Sequence, residues 1–327
     1  MNYYTTTDKG IKCLLCRHYC NLHDGKTGIC GVNKNQNGKL VNLVYGKAAA
    51  VNIDPIEKKP LYHFLPASSA LSIGTVGCNL QCPFCQNWDI SQTADVSSSH
   101  IVEPKQLVRL ALENHCQTIA YTYNEPTVFY PFARDVALLA KQHGIRNIFV
   151  SNGMESPEMI EDMKGIIDAF NIDLKGFSHQ FYKRVLKGNL DGVLDTIKRL
   201  KQNGFWLEIT TLVIPDENDS TAELTKIAQF IAHTGTDIPW HISAFYPQYK
   251  MTYKNRTPSQ ALQTAYDIGK QAGLQYIYKG NVAEKGITRC PVCNHELIVR
   301  NGYFITKNII NEGVCPKCNT KISGIWI

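Results

Sequence analysis

The chain lacks several features that would each direct it to a different kind of protein. No apolar stretch approaches the length of about 18 residues that a membrane-crossing helix needs. Met1–Lys12 is polar and has no apolar core, so it does not read as a secretory signal. The 34 Lys and Arg residues are scattered and nowhere form the run of a nucleic-acid-binding arm. Charged residues make up 19% of the chain and apolar ones 44%, which excludes a disordered chain and leaves enough apolar surface for a core. With 327 residues, that core suits one large domain with small appendages, and the net charge of +6 reads as a solvated surface. These absences predict a cytoplasmic protein, in a compartment where thiols stay reduced.

Against that background the twelve cysteines stand out, because in a long reduced chain they suggest metal ligation rather than disulfides. Cys13, Cys16, Cys20 and Cys30 form one cluster. Cys78, Cys82 and Cys85 form a second, and Cys290, Cys293, Cys315 and Cys318 a third. Cys116 is alone at an apolar helix-to-strand junction and reads as a buried small residue.

The clusters divide the chain into an N-terminal cysteine-rich segment (1–66), a central region (67–285) and a C-terminal module (286–327). In the first, Lys39–Ile53 alternates loosely and predicts short strands, with Asp54-Pro55 as a turn. In the second, apolar strands alternate with amphipathic helices. The strands are expected at Ala70–Val76, Thr118–Tyr123, Asn147–Ser151, Phe170–Leu174, Leu207–Ile214, Trp240–Phe245 and Gln275–Tyr278. Between them, helices are expected at Glu103–Asn114, Thr127–Gln142, Pro157–Lys164, Leu190–Gln202, Thr221–His233 and Pro258–Lys270. Repeated βα units predict a parallel sheet with helices outside, and about six of them close into a partial TIM-like (β/α)6 barrel. In such barrels reactive groups sit at the C-terminal ends of the strands. Here those ends, or the strands themselves, carry Cys78, Asn124-Glu125, Ser151-Asn152, Asp173 with Lys175, Glu208, and His241 with Ser243.

Cys78-Asn79-Leu80-Gln81-Cys82-Pro83-Phe84-Cys85 follows the first of these strands directly. Thiolates are the usual ligands of iron–sulfur clusters, and three of them leave one iron of a 4Fe–4S cube open to a small molecule. The bland alternative is a zinc site short of its fourth ligand. The pair Cys290-Pro291-Val292-Cys293 and Cys315-Pro316-Lys317-Cys318 brings four thiolates together with no position left open, which suits structural zinc. Leu297–Arg300 and Tyr303–Thr306 form a hairpin about Asn301-Gly302 between them, making a zinc ribbon. Cys13, Cys16, Cys20 and Cys30 accept either zinc or a second Fe–S cluster, with zinc favoured, and His18 or His23 stands close enough to replace one of them.

The C-x-x-x-C-x-x-C spacing, with Phe84 before the last cysteine, resembles the radical S-adenosylmethionine signature. The resemblance implies a radical SAM barrel whose open iron chelates the methionyl amino and carboxylate groups. An electron from the reduced cluster then cleaves the cofactor to a 5′-deoxyadenosyl radical, which takes hydrogen from a substrate. It implies that Tyr123, Asn124 and Glu125 stand near the methionyl amine, with Glu125 foremost, although the family's Gly-Gly before this Glu is absent. Ser151 and Asn152 resemble its Thr-Asn-Gly segment near the ribose and carboxylate. Asp173 and Lys175 resemble the Asp-x-Lys of glycyl-radical-enzyme activases, and His241 is placed toward the adenosine or the substrate.

More widely, Cys13–Val32, Asp54–Pro66, Gly77–Gln92, Tyr121–Thr127, Pro239–Pro247, Tyr278–Val282 and the C-terminal ribbon resemble the AmmeMemoRadiSam system radical SAM enzymes, relatives of the pyruvate formate-lyase activating enzymes. That implies Memo-type and AMMECR-type partner proteins, and an electron donor such as flavodoxin or ferredoxin. It leaves the substrate open. Three functions compete: a radical SAM enzyme with its own substrate, an activase that takes hydrogen from a glycine of a partner enzyme, and a non-catalytic zinc-ribbon protein that binds nucleic acid. Against the last stand the polar strand ends and the want of a basic stripe or interleaved aromatics near the knuckles.

Overall fold

The computed structural model describes residues 2–326. Its N-terminal part is built from short strands: β1 (Tyr4–Thr7), β2 (Gly10–Cys13) and β3 (Asn21–Leu22) in one antiparallel sheet, then the hairpin of β4 (Asn33–Gln36) and β5 (Lys39–Asn42). A short β6 (Lys47–Ala48) leads into β7 (Ala50–Pro55), which pairs antiparallel with β8 (Ser69–Gly74). The Asp54-Pro55 turn expected from the sequence is therefore the end of a strand, with Asp54 opposite Ala70 and Pro55 opposite Ser69. Proline is tolerated there because a terminal edge position needs no amide donor.

β8 opens a parallel run that continues, past the two-residue β9 (His100–Ile101), through β10 (Thr118–Tyr121), β11 (Arg146–Ser151), β12 (Ala169–Asp173), β13 (Trp206–Val213), β14 (Trp240–Ala244) and β15 (Ile277–Gly280). With β7 at one edge these make an eight-stranded sheet in the order β15-β14-β13-β12-β11-β10-β8-β7. All four residues of β10 are buried, as a strand covered on both faces requires. The crossover helices are α2 (Pro104–Glu113), α3 (Tyr130–Gln142), α4 (Pro157–Met163), α6 (Leu190–Gln202), α7 (Thr221–Thr234) and α8 (Ser259–Gln271), with short α1 (Trp88–Ser91) and α5 (His179–Phe181) in loops. Their starts are fixed locally: Ser156, Asn189 and Ser220 each accept a bond from an amide of the first turn. The outer core lies between these helices and residues such as Leu71, Tyr121, Phe149, Phe170 and Ile209. This is the expected α/β barrel, with all seven parallel strands and six main helices where the sequence puts them. Among the described residues no helix is long and apolar enough to cross a membrane.

Residues 56–66 run beneath the N-terminal ends of the strands and plug the barrel. Ile56, Leu61, Phe64 and Leu65 pack there on Ala70, Ala120, Ile148 and Ala169. Glu208, inside β13 and fully buried, ties the plug in place by accepting from the Tyr62 and His63 amides, Trp206 Nε1 and His241 Nε2 at 2.6–3.0 Å. His241 is thus not at the open mouth. It is 3% exposed and packs edge-on against Tyr62. The reason is position along the strand: it is the second residue of β14, and Glu208 the third of β13, near the ends where the plug enters.

The C-terminal ribbon of β16 (Gly286–Arg289), β17 (Glu296–Asn301) and β18 (Phe304–Asn308) attaches to the same end, with Gly302 (φ 58°) in the turn between the last two. Its Arg300 is fully buried and donates to the Tyr62 carbonyl (2.6 Å) and Thr288 Oγ1 (2.9 Å), over the Tyr62 ring. Glu208→Ala would strand four donors in a dry interior. We expect it to cost about 3–5 kcal/mol, read as a lowered urea midpoint, while Glu208→Gln costs less because it keeps two acceptor lone pairs and the volume. Equal midpoints for wild type and Glu208→Ala would mean that the plug is held by apolar packing alone.

Candidate functional site

Cys78, Cys82 and Cys85 lie in the loop between β8 and α1, at the open mouth. The loop starts with a residue only glycine suits: Gly77 has φ 89°, and a Cβ there would come within 2.7 Å of Val32 Cγ1 and 2.8 Å of the Cys30 carbonyl. Asn124 fixes the approach to the cysteines. Its amide donates to the Gly77 carbonyl (2.7 Å) and Thr75 Oγ1 (3.0 Å), and its Oδ1 accepts from the Thr75 amide (3.1 Å). Beyond the first thiol, the Gln81 amide donates to the Leu186 carbonyl (2.9 Å), and Ser91 Oγ lies 3.1 Å from Cys85 Sγ. Cys82 is buried, and burial pushes its thiol up to about 12, opposed by the neighbouring Lys175 ammonium.

Glu125, adjacent to Asn124, turns to the other side. Its Oε1 accepts from the Thr127 amide and hydroxyl and from Ser151 Oγ (2.9 Å), and its Oε2 accepts from the Asn152 amide (2.8 Å). Asn152 in turn donates to Asn79 Oδ1 (2.7 Å) and approaches Cys78 Sγ at 3.9 Å. The side-chain nitrogen of Asn79, the residue after Cys78, is buried with no partner. Asn124, Glu125, Ser151 and Asn152 therefore form one bonded group around the cysteine loop.

Asp173 and Lys175, from the end of β12, join it: Lys175 Nζ is 2.7 Å from Asp173 Oδ2 and 5.9 Å from the centre of the Phe84 ring. Burial works against the Lys175 ammonium, but Asp173 and then Cys82 outweigh it and hold its pKa above the ordinary value. Tyr123 departs from expectation. Its hydroxyl donates to Asp54 Oδ2 (2.9 Å) and accepts from Asn52 on β7, and Lys59 Nζ covers its ring, so the side chain leaves the cysteine loop. What Tyr123 contributes there is its carbonyl, which accepts from Asn87 Nδ2 (2.8 Å). A cavity of about 740 Å³ lies elsewhere, between α8 and the ribbon.

A second carboxylate escaped the sequence reading because no motif marks it. Glu155 is fully buried beside Glu125, and neither of its oxygens has a hydrogen-bond partner, the Ser151 hydroxyl being engaged by Glu125. Burial, and then the Glu125 charge, push its carboxyl up to about 8.

The three cysteine clusters differ in width. In the ribbon the four sulfurs all lie within 4.8 Å of one another, with Cys290–Cys318 at 3.6 Å and Cys293–Cys315 at 3.7 Å. Four thiolates about one tetrahedral ion with metal–sulfur bonds of about 2.3 Å stand roughly 3.8 Å apart, so this set fits a single ion. Among the described residues no other three potential ligands stand so close, which leaves the Cys78 set wider than a mononuclear site. That width and the unpartnered Asn79 amide fit a cluster that binds each thiolate through its own iron and takes hydrogen bonds at its sulfurs. Burial, and then the Cys13, Cys30 and Cys20 sulfurs, raise Cys16, which places all four around one volume. His18 is turned away to the Asn79 carbonyl (2.8 Å) and His23 is exposed, so neither replaces a cysteine.

Comparison with known proteins gives the same fold. Residues 72–228 match the Radical SAM superfamily. An uncharacterized protein of Methanocaldococcus jannaschii is 39% identical over 330 residues, spanning 98% of each chain. A GTP 3′,8-cyclase of Limosilactobacillus fermentum is 25% identical over 74% of this chain and 72% of its own. A pyruvate formate-lyase-activating enzyme of Clostridium pasteurianum is 20% identical over 55% and 79% respectively. The crystal structure of Streptococcus suis SuiB bound to S-adenosylmethionine shares the fold, with a TM-score of 0.53 at 13% identity over 69% of this chain and 53% of SuiB.

The Glu155 carboxyl sets a pH dependence. Folded, it holds its proton up to about 8, whereas unfolded it ionises near 4.5. Between those values the folded state binds the extra proton, so stability falls as pH rises, by up to ~1.4 kcal/mol per pH unit from this group. Glu155→Gln keeps the shape of the protonated acid. It should melt close to wild type at pH 5 and above it at pH 8, in thermal scans under anaerobic conditions. Parallel melting curves across that range would exclude a protonated Glu155.

Proposed function

The chain belongs to the radical SAM superfamily, and we propose that it binds a 4Fe–4S cluster on Cys78, Cys82 and Cys85 and S-adenosylmethionine beside it, to take hydrogen from an organic substrate held in the barrel mouth. The observation that carries this reading is the widely spaced thiol triplet at the end of β8, enclosed by bonded polar groups from the ends of β10, β11 and β12. When bound, the cluster and S-adenosylmethionine supply a 5′-deoxyadenosyl radical, which is strong enough to take hydrogen from carbon.

The chain's own residues set up that chemistry. Asn124 holds the backbone before Cys78 in one shape, and Glu125 holds the Ser151-Asn152 corner. Glu125 Oε2 makes only one bond within the protein and keeps a lone pair for the methionyl amine. Lys175 places a positive charge against Cys82 and offsets part of the negative charge of the thiolates. The plug closes the opposite end of the barrel, so a substrate enters only from the cysteine side. In the ribbon, zinc is the ion that best suits four closed thiolates, and its role is structural.

A second reading, activation of a glycyl-radical enzyme, is favoured by the Asp173–Lys175 pair and by the likeness to the Clostridium pasteurianum activating enzyme. It predicts a glycyl-radical enzyme encoded nearby or copurifying. A low-potential electron donor such as flavodoxin or ferredoxin, and Memo-type and AMMECR-type proteins, are the proposed partners.

Anaerobic protein given dithionite and S-adenosylmethionine should form 5′-deoxyadenosine, and Cys82→Ala should reduce that to background. No 5′-deoxyadenosine from the wild-type protein would end the enzyme reading, and its formation at wild-type rate by Cys82→Ala would end the role of Cys82. Asn124→Ala keeps all three cysteines but frees the loop, and we expect it to retain less than half of the iron of the wild-type central site after gel filtration. Full retention would show that the loop holds its shape unaided.

A further inference from the structure

The N-terminal cysteines are arranged for more than a single ion. Cys13 and Cys20 face each other across the β2–β3 hairpin, where the Cys13 amide donates to the Cys20 carbonyl at 3.0 Å. Gly28 sits between Cys20 and Cys30: a Cβ on it would lie 3.5 Å from Cys20 Sγ and 3.7 Å from Cys30 Sγ. The buried Asn33 donates to Cys30 Sγ at 3.5 Å, a bond of the kind that cluster-ligating sulfurs receive. Yet no three of these four sulfurs lie mutually within 4.8 Å, whereas the four in the ribbon all do. The same fold therefore contains one tight tetrahedron and two wide sets.

We propose that Cys13, Cys16, Cys20 and Cys30 hold a second 4Fe–4S cluster, built against the wall of the first, in place of the zinc favoured from the sequence. A tetrahedral zinc ion would need the sulfurs to close to roughly 3.8 Å. A cube, with a separate iron for each thiolate, accepts the open spacing. The two nearby histidines are turned elsewhere: His18 bonds the Asn79 carbonyl and His23 is exposed.

The location gives this site its role. The Cys30 carbonyl sits 2.8 Å from where Gly77 would carry a Cβ, one residue before Cys78. The Arg17 amide donates to the Met154 carbonyl at 2.9 Å, and Cys16 makes a β-bridge to Glu155, so the segment is fastened to the mouth itself. Four thiolates leave no iron open, so substrate binding is excluded. What is left is one-electron chemistry: a low-potential donor protein loses one electron, the cluster gains it, and the same electron passes inward across the Cys30–Gly77 contact.

The site is tested apart from the first one by removing Cys78, Cys82 and Cys85 together (each →Ala) and measuring iron, sulfide and zinc in anaerobically reconstituted protein. We expect about four irons and four sulfides to remain per chain, against about eight of each in the wild type, with a dithionite-reduced EPR signal that S-adenosylmethionine does not alter. Should that variant fail to fold, Cys13→Ser/Cys30→Ser is the complement. It should lose about four irons and keep the EPR change on adding S-adenosylmethionine, which reports the first site alone. Wild-type protein with about four irons and two zinc ions per chain would overturn the second cluster while leaving the first intact.

Discussion

The site depends on two adjacent side chains facing opposite ways. A loop carrying three thiols for one cluster has little regular structure of its own, and without support it would sample many arrangements. Asn124 supplies that support by bonding the backbone on both sides of Val76, while Glu125 bonds the Ser151-Asn152 corner from the neighbouring strand. They diverge because the chain leaves the strand at Tyr123 with φ 72°, a left-handed conformation that non-glycine residues rarely adopt. Such strain costs on the order of 1–3 kcal/mol and persists only where surrounding bonds over-determine it, as the Tyr123 carbonyl and hydroxyl bonds do.

The far end of the barrel obeys the opposite requirement, to be shut. Glu208, His241, His63, Tyr278, Thr288 and Arg300 form one buried polar chain linking strands, plug and ribbon. His63 shows how closely it is specified. Its Nδ1 faces the Ser323 carbonyl, which can only accept, so Nδ1 carries the proton and Nε2 accepts from the Tyr278 hydroxyl. Burial lowers its pKa to about 4 and keeps it neutral in that role. The ribbon is thus a second fastening of the plug, and the N-terminal segment is fastened to the opposite mouth.

Much of this was legible in the sequence, unevenly. The seven parallel strands and their helices were, because burial on both faces leaves continuous apolar runs and capping residues mark the starts. The cysteine triplet was legible as spacing, and Asn124, Glu125, Ser151, Asn152, Asp173 and Lys175 as polar strand ends that the fold gathers at one mouth. His241 misled for a definite reason: a polar residue on a barrel strand faces inward alike near either end, and only the strand's true start tells which end. Tyr123 misled because its backbone turns left-handed and swings the ring to β7. Glu155 was invisible, being one acidic residue among many until its neighbours are known.

The sequence by itself determined the alternation of elements and the number and spacing of the thiols, since both are properties of residues near one another in the chain. Only the tertiary structure decided which polar groups meet at the open mouth and which lock the closed end, because strand register and stagger set that. It also decided how far apart the sulfurs of each cluster stand. C-x-x-C spacing limits the reach of two thiols, but the width of a four-thiol set depends on which segments are packed together, here the paired β2 and β3 with the Cys30–Val32 segment that meets Gly77.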